Sequence, residues 1–253
     1  MAKYKVTELF SPPRVTAEMQ SLPILGFVPG STFDLRVDSN GVSWDFLRAD
    51  DRRRARNQIQ KEKPYLVCGS PPCTYYSILT RMNFSRMDPE KLRRKKSEAK
   101  VLLDFAMEIY EVQLQGGRRF LHEHPESASS WKTEEVQRLL WNPRVGSTVA
   151  HLCQFGMKTR GQDGEWRLAR KATRFMSSSV EILKRLEKKC QRDHVHQHLV
   201  DGRAKGAAIY PPMLCRAILR GIGAQNRKEG RKRHAETRGE YVRQRLRDIQ
   251  SYA

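Results

Sequence analysis

Residues 64–74 read PYLVCGSPPCT, and this stretch decides the fold. Its apolar, β-prone run at 65–68 lies between a proline and the turn sequence Gly-Ser-Pro-Pro, a pattern typical of a buried strand that ends in a rigid turn. Such a strand in an α/β sheet delivers its last residues to the carboxyl edge, where ligands bind. Because Pro71 and Pro72 restrict the backbone and remove two amide donors, we expect Cys73 to lie on a stiff loop there. Its thiol is either a nucleophile or a half-buried cysteine beside a turn.

Strand and helix patterns alternate along the rest of the chain. Strands are predicted at 6–10, 31–35, 120–125 and 147–155, and helices at 14–22, 50–62, 88–115, 133–140, 179–189 and 211–222. The helix at 88–115 is the clearest, since Asp88 can cap it and Pro89 suits its first turn. The alternation predicts an α/β fold with a mostly parallel sheet, and 168–176 is expected to pair with 147–155 as an antiparallel hairpin at its end.

Length and charge suggest one domain with a basic tail and a nucleic-acid partner. The 253 residues suit one α/β domain at 1–222, followed by a polar, basic tail at 223–253. The net charge of +20 favours nucleic acid, DNA first, through phosphate contacts, although a generically basic protein with a solvated tail is the alternative. The cluster at 227–233 could bind nucleic acid or act as a nuclear address.

Cysteine usage and hydropathy bear on location. The five cysteines are few and widely spread, which indicates an intracellular, reducing compartment rather than a disulfide scaffold. The first residues lack the apolar segment of a signal peptide, and no apolar run approaches the length of a membrane span. We therefore expect no membrane partner.

A second candidate site is rich in sulfur and imidazole. Residues 190–198 read CQRDHVHQH, and on an extended segment His194, His196 and His198 point the same way. Cys190 could join them from the preceding helix end, and Cys153 could join from elsewhere in the chain. Zinc takes thiolate and imidazole ligands, so Cys153, Cys190, His194 and His196 are the candidate ligands. The spacing matches no standard zinc module, and a polar histidine-rich loop is the alternative.

A thiol and a carboxylic acid are expected to meet at one edge of the sheet. Glu123 ends the predicted strand at 120–125, as Cys73 follows the strand at 65–68. Together they suit attack on an electron-poor ring, with the acid donating a hydrogen bond to the ring. Three later arginines could hold phosphates: Arg167, Arg170 and Arg174.

These motifs resemble a known family. The run SPPC at 70–73 resembles the Pro-Cys motif of the cytosine carbon-5 DNA methyltransferases, and EHP at 123–125 is similar to their Glu-Asn-Val motif, in the same chain order. The run RLAR at 167–170 is similar to their later arginine-bearing motif. The resemblance covers residues 6–180, and the whole chain also resembles methyltransferase-like segments in polyproteins of mobile elements.

The resemblance implies a Rossmann-like, S-adenosylmethionine-dependent methyltransferase sheet and methyl transfer to carbon 5 of cytosine. Cys73 would attack carbon 6 of a flipped cytosine, and Glu123 would bind and protonate nitrogen 3. Arg167 and Arg170 would complete the catalytic set. The residues implied to contact S-adenosylmethionine are Phe10, Ser11, Asp34, Asp45 and Pro71.

The first loop departs from the family pattern. The family has Phe-x-Gly-x-Gly, whereas residues 10–14 read FSPPR and contain no glycine. Glycines let a backbone approach a cofactor closely, and prolines remove amide donors. Asp34 and Asp45 are either cofactor contacts or ordinary turn aspartates. Two hypotheses follow: an active methyltransferase, or a catalytically inactive nucleic-acid-binding module with the same fold, possibly zinc-containing.

Overall fold

The computed structural model describes residues 4–23, 26–35, 41–161, 163–197, 199 and 209–250. Its strands are β1 (Tyr4–Leu9), β2 (Phe27–Phe33), β3 (Leu66–Gly69), β4 (Arg119–Pro125), β5 (Gly146–His151), β6 (Lys158–Arg160), β7 (Trp166–Leu168) and β8 (Ala172–Ser177). Its α-helices are α1 (Ala49–Glu62), α2 (Ile78–Arg81), α3 (Pro89–Gln115), α4 (Glu134–Leu140), α5 (Val180–Leu186) and α6 (Pro212–Gln250). Short 3₁₀ helices lie at Ala17–Ser21, Thr74–Tyr76, Phe84–Arg86, Ser129–Lys132 and Leu152–Phe155.

The main sheet has six strands in the order β2-β1-β3-β4-β8-β5. Strands β2, β1, β3 and β4 are parallel, and β8 runs antiparallel to both β4 and β5. This arrangement confirms the predicted α/β fold with a mostly parallel sheet and an antiparallel pair at its end. All four residues of β3 are buried, as the apolar run in the sequence predicted.

Alternate residues of the strands belong to two separate hydrophobic clusters, one on each face of the sheet. Leu66 and Cys68 face a cluster with α5 and α6, while Val67 faces a cluster with α1, α3 and α4. The sheet is therefore covered by helices on both faces, and its carboxyl edge lies between the two helix layers.

The predicted cap of α3 is present, because the Asp88 carboxylate accepts a hydrogen bond from the Lys91 backbone N–H at 2.7 Å.

Several element boundaries differ from the sequence prediction. The helix expected at 14–22 is a 3₁₀ turn at Ala17–Ser21. Strand β2 begins four residues earlier than predicted and includes Pro29, which an edge strand tolerates because one side of its backbone needs no partner. The polar stretch between β5 and β8 forms the extra hairpin of β6 and β7 rather than a simple turn.

Helix α6 runs continuously across residue 222, where the sequence placed the boundary between domain and tail. Beyond that point Glu229 accepts a hydrogen bond from the Tyr65 hydroxyl at 2.7 Å and forms an ion pair with Arg119. Gln225 contacts Ser179 in the same way. The helix therefore packs against the sheet at least as far as Glu229, so the boundary at 222 does not coincide with a structural break. In the described part of the chain, no helix is long and apolar enough to cross a membrane.

A chain ending at residue 222 is expected to be less stable than the full chain by about 2 kcal/mol or more, because Arg119 loses its carboxylate partner in a largely buried position. A chain ending at residue 239 keeps Glu229 and should match the full chain. Urea denaturation of the three proteins measures the difference. Equal midpoints for the full chain and the chain ending at 222 would show that the residues after 222 are only a tail.

Candidate active site

Cys73 lies on a well-fixed loop at the carboxyl end of β3. The Ser70 backbone N–H donates to the Leu9 carbonyl at 3.3 Å, and the Cys73 carbonyl accepts from the N–H groups of Tyr76 and Ser77 at 3.0 and 2.9 Å. Cys73 thereby caps the 3₁₀ helix Thr74–Tyr76. Cys73 is half-buried.

Glu123 and Lys171 lie beside this thiol. The Glu123 carboxylate is 8% exposed, and its Oε1 lies 3.4 Å from Lys171 Nζ. Burial raises the pKa of the Cys73 thiol, the charge of Glu123 raises it further, and the charge of Lys171 lowers it. The thiol, the carboxylate and the ammonium group are thus close enough to influence one another electrostatically. Cys73 and Glu123 lie at the same edge of the sheet, as the sequence predicted.

His124 joins the Cys73 loop to β4. Its Nε2 lies 2.9 Å from the Pro71 carbonyl oxygen, and its Nδ1 lies 2.6 Å from Ser130 Oγ. A carbonyl oxygen only accepts, so Nε2 carries the proton and Nδ1 accepts from the serine hydroxyl. Burial lowers the pKa of His124, which keeps the ring neutral in this arrangement. His124 therefore fixes the loop that carries the thiol.

Tyr210 is a second neighbour of Glu123 that the sequence did not indicate. Its hydroxyl oxygen lies 2.6 Å from Ser70 Oγ, within the loop before Cys73. Burial raises the pKa of Tyr210, and the charge of Glu123 raises it further, so the phenol stays protonated. Tyr210 lies 140 residues after Ser70 in the sequence and reaches this edge of the sheet only through the tertiary fold. No local sequence pattern predicts that contact.

Two of the arginines predicted for the site, Arg167 and Arg170, have their described interactions with other residues. Arg167 is in β7 and forms an ion pair with Asp163, across the turn of the β6–β7 hairpin. Arg170 is exposed, and its charge acts on His151. The cation that contacts Glu123 is Lys171, the next residue along. Adjacent residues of an extended chain point to opposite sides, which separates Arg170 from Lys171.

The loop after β1 is organised by a buried acid. Glu8 is 2% exposed, and its Oε1 accepts hydrogen bonds from the Arg14 N–H at 2.9 Å, the Thr16 N–H at 2.9 Å and the Thr16 hydroxyl at 2.7 Å. Phe10, the first residue of the loop, has φ of 61°, a left-handed conformation that is uncommon outside glycine. The Glu8 carboxylate thus accepts hydrogen bonds from two backbone N–H groups of this loop. These two groups therefore do not point toward a ligand.

The other candidate cofactor residues make contacts within the protein. Asp34 Oδ1 accepts from the neighbouring Leu35 N–H at 2.9 Å, and Asp45 Oδ1 accepts from the Leu47 N–H at 3.0 Å. Ser11 N–H donates to the Phe33 carbonyl at 3.2 Å. The Pro71 carbonyl is taken by His124, as described above. Both aspartates therefore have the contacts of turn residues, the alternative that the sequence left open.

A cavity of about 500 Å³ opens next to the Cys73 loop. Tyr75 and Phe84 stack there with ring centroids 6.4 Å apart, and Lys96 Nζ lies 4.6 Å from the centre of the Phe84 ring. Arg81 and Lys100 also line the cavity, as do Glu134 and Glu135. Aromatic faces beside cations are suited to nucleobases and phosphates.

The predicted metal-binding residues also come together. One donor atom each from Cys153, Cys190, His194 and His196 lies within 4.8 Å of the other three. The structure thus contains a possible metal-binding group of two thiols and two imidazoles, as the sequence predicted. His198, the other histidine considered, lies outside the described residues.

No protein-family model matches the chain, and no curated protein is significantly similar to it in sequence.

Proposed function

We propose that this protein transfers a methyl group from S-adenosylmethionine to carbon 5 of cytosine in nucleic acid, with Cys73 as nucleophile and Glu123 as the acid that binds the ring. The observation that carries the proposal is the placement of thiol and carboxylate at the carboxyl ends of adjacent parallel strands, β3 and β4. A mostly parallel sheet with one reversed strand also agrees with the methyltransferase sheet that the resemblance implies.

The chemistry assigns a task to each group. The Cys73 thiol passes its proton to the Glu123 carboxylate before the sulfur adds to carbon 6, and Lys171 stabilises the resulting thiolate. Protonated Glu123 gives this proton to nitrogen 3 as the thiolate adds, which makes carbon 5 nucleophilic. Bound S-adenosylmethionine would supply the methyl group to carbon 5 and would leave as S-adenosylhomocysteine. A water molecule then takes the carbon-5 proton, the thiolate leaves carbon 6, and nitrogen 3 returns its proton to Glu123.

Charge and shape support nucleic acid, DNA first, as the partner. The chain carries a net charge of +20, and the cavity of about 500 Å³ combines Tyr75 and Phe84 with the cations Arg81 and Lys96. A neighbouring base can stack on the aromatic pair while the cations contact phosphates. The free state of all five cysteines supports a reducing, intracellular location. A nuclear address after residue 223 and an origin in a mobile-element polyprotein stay predictions.

A second candidate is a nucleic-acid-binding module with the same fold, without methyl transfer and with zinc as its cofactor. The observation that favours it is the hold of Glu8 on the loop after β1, where the family places its glycines. Under the first candidate, the residues that we propose to contact S-adenosylmethionine are Phe10, Ser11, Asp34, Asp45 and Pro71. Zinc would bind the group of Cys153, Cys190, His194 and His196.

Covalent trapping separates the two candidates. DNA strands containing 5-fluorocytosine are incubated with the protein and S-adenosylmethionine; fluorine at carbon 5 blocks the final proton loss, so an enzyme stays attached to the strand. We expect an adduct that maps to Cys73 and disappears in Cys73→Ala. Thr74→Ala, a change at the exposed neighbour, is the matched control and should form the adduct.

Calorimetry with S-adenosylmethionine completes the test. Binding at micromolar concentration with adduct formation supports methyl transfer to cytosine. Binding of DNA without binding of S-adenosylmethionine at millimolar concentration would leave the binding module as the function. Binding of both without any adduct would overturn cytosine as the target.

A further inference from the structure

We infer that Cys153, Cys190, His194 and His196 bind one Zn²⁺ in a closed structural site that fastens residues 187–197 to the edge of the sheet. The inference is independent of methyl transfer. Cys153 lies in the 3₁₀ helix that follows the edge strand β5, whereas the other three residues lie after α5 in a segment without helix or strand. Four protein ligands leave no open coordination position, which is the pattern of structural rather than catalytic zinc.

The distances between the donor atoms suit a tetrahedral ion. Zinc bonds of about 2.3 Å to sulfur and 2.0–2.1 Å to nitrogen place ligand S and N atoms about 3.5 Å apart at tetrahedral angles. Cys190 Sγ lies 3.4 Å from His196 Nε2 and 3.6 Å from His194 Nε2. All four donors lie within 4.8 Å of one another. Two thiolates with two imidazoles at these separations favour zinc over hard cations, which prefer oxygen.

Groups around the donors orient them for a metal. Asp193 Oδ1 lies 2.8 Å from His194 Nδ1, so the carboxylate holds one ring nitrogen and leaves Nε2 for the ion. The Arg192 backbone N–H points at Cys190 Sγ at 3.2 Å, and Arg192 has a left-handed φ of 62°. The Arg192 amide thus holds the Cys190 sulfur, and the Asp193 carboxylate holds the His194 ring, in orientations that one shared ion can use.

The site lies where the segment meets the sheet. The Cys190 N–H donates to His151 Nδ1 at 2.9 Å, at the end of β5. The Gln197 N–H donates to the Leu168 carbonyl at 2.8 Å, in β7. The Leu152 N–H, next to Cys153, donates to the Lys171 carbonyl at 3.0 Å. A metal here therefore ties together β5, the β6–β7 hairpin and the chain that carries Lys171 toward Glu123.

Metal content is the first test. The full chain is purified without a polyhistidine tag under reducing conditions, and elemental analysis should find about one zinc ion per chain. Cobalt substituted for zinc should give the visible bands of a tetrahedral site with thiolate ligands. Cys190→Ser should lose the metal, whereas Cys73→Ser, a change at a half-buried thiol outside the group, should keep it. Since Cys73→Ser abolishes only the methyltransferase chemistry, failures of the two proposals are distinguishable.

Trypsin tests the fastening, even if the Cys190→Ser variant does not fold. Lys188, Lys189 and Arg192 are cleavage sites within the segment. We expect the wild-type protein with zinc to resist cleavage there, chelated protein to be cut, and added zinc to restore resistance. A folded protein that takes up neither zinc nor cobalt, or one in which Cys153 and Cys190 form a disulfide under reducing conditions, would overturn the inference.

Discussion

Replacing Glu8 by alanine is expected to destabilise the fold by about 3–6 kcal/mol. The change leaves the buried N–H and hydroxyl of Thr16 and the partly buried N–H of Arg14 without their acceptor. Each unsatisfied donor costs about 1–3 kcal/mol, with the lower part of that range applying where the loop can relax toward water. Because the loop also borders β1, we expect loss of stability rather than a local change.

Urea denaturation measures the effect. Glu8→Gln keeps one carbonyl acceptor and should cost less than the alanine change. Glu18→Ala is the matched control from the same segment; it removes a carboxylate whose ion pair to Arg216 is partly exposed and should cost about 1 kcal/mol, less than the Glu8 change. A Glu8→Ala protein within 1 kcal/mol of the wild type would show that the carboxylate does not organise the loop.

The second large effect is expected in the reactivity of Cys73. Burial and Glu123 raise its pKa, so at neutral pH the group is a thiol and alkylation by iodoacetamide should be slow, rising only at alkaline pH. Glu123→Gln removes a charge that raises the pKa and should move the midpoint to lower pH. Lys171→Gln removes a charge that lowers the pKa and should move it to higher pH. Each shift should be about one pH unit, or about tenfold in rate below the midpoint.

Peptide-resolved mass spectrometry follows Cys73 separately from the other thiols. Arg170→Gln is the matched control, because this exposed neighbour of Lys171 should leave the profile unchanged. If Lys171→Gln and Arg170→Gln behave alike, the ion pair does not face the thiol, and the tasks assigned to Glu123 and Lys171 fail. Opposite shifts for Glu123→Gln and Lys171→Gln would support the arrangement of all three groups.

Local patterns in the sequence were sufficient to predict the main strands and helices and the order in which they alternate. The apolar run at 65–68 predicted β3, and the capping aspartate and helical spacing after residue 88 predicted α3. Alternating strands and helices predicted the parallel sheet, and the late strand patterns predicted the antiparallel pair β5 and β8. These features depend on side-chain period, capping and turn residues, which act over a few residues and can be identified without a structure.

The candidate sites were only partly accessible in this way. Cys73 and Glu123 were predicted together because Cys73 follows one predicted strand and Glu123 lies toward the end of another, and the metal group was predicted from its unusual ligand types. The sequence proposed Arg170 for the site, whereas the cation that contacts Glu123 is the adjacent Lys171. That one-residue offset depends on which side of an extended chain faces the sheet. No local signal indicates that offset.

By itself the sequence determined the α/β layers, the loop that presents Cys73 and the identity of four metal-binding candidates. The tertiary structure alone decided which charges surround the thiol, that Glu8 occupies the loop after β1, and that α6 continues to pack as far as Glu229. The physical reason is distance along the chain. Hydrogen bonds and ion pairs between residues such as Tyr65 and Glu229 form only after the sheet and helices have assembled, so no local pattern encodes them.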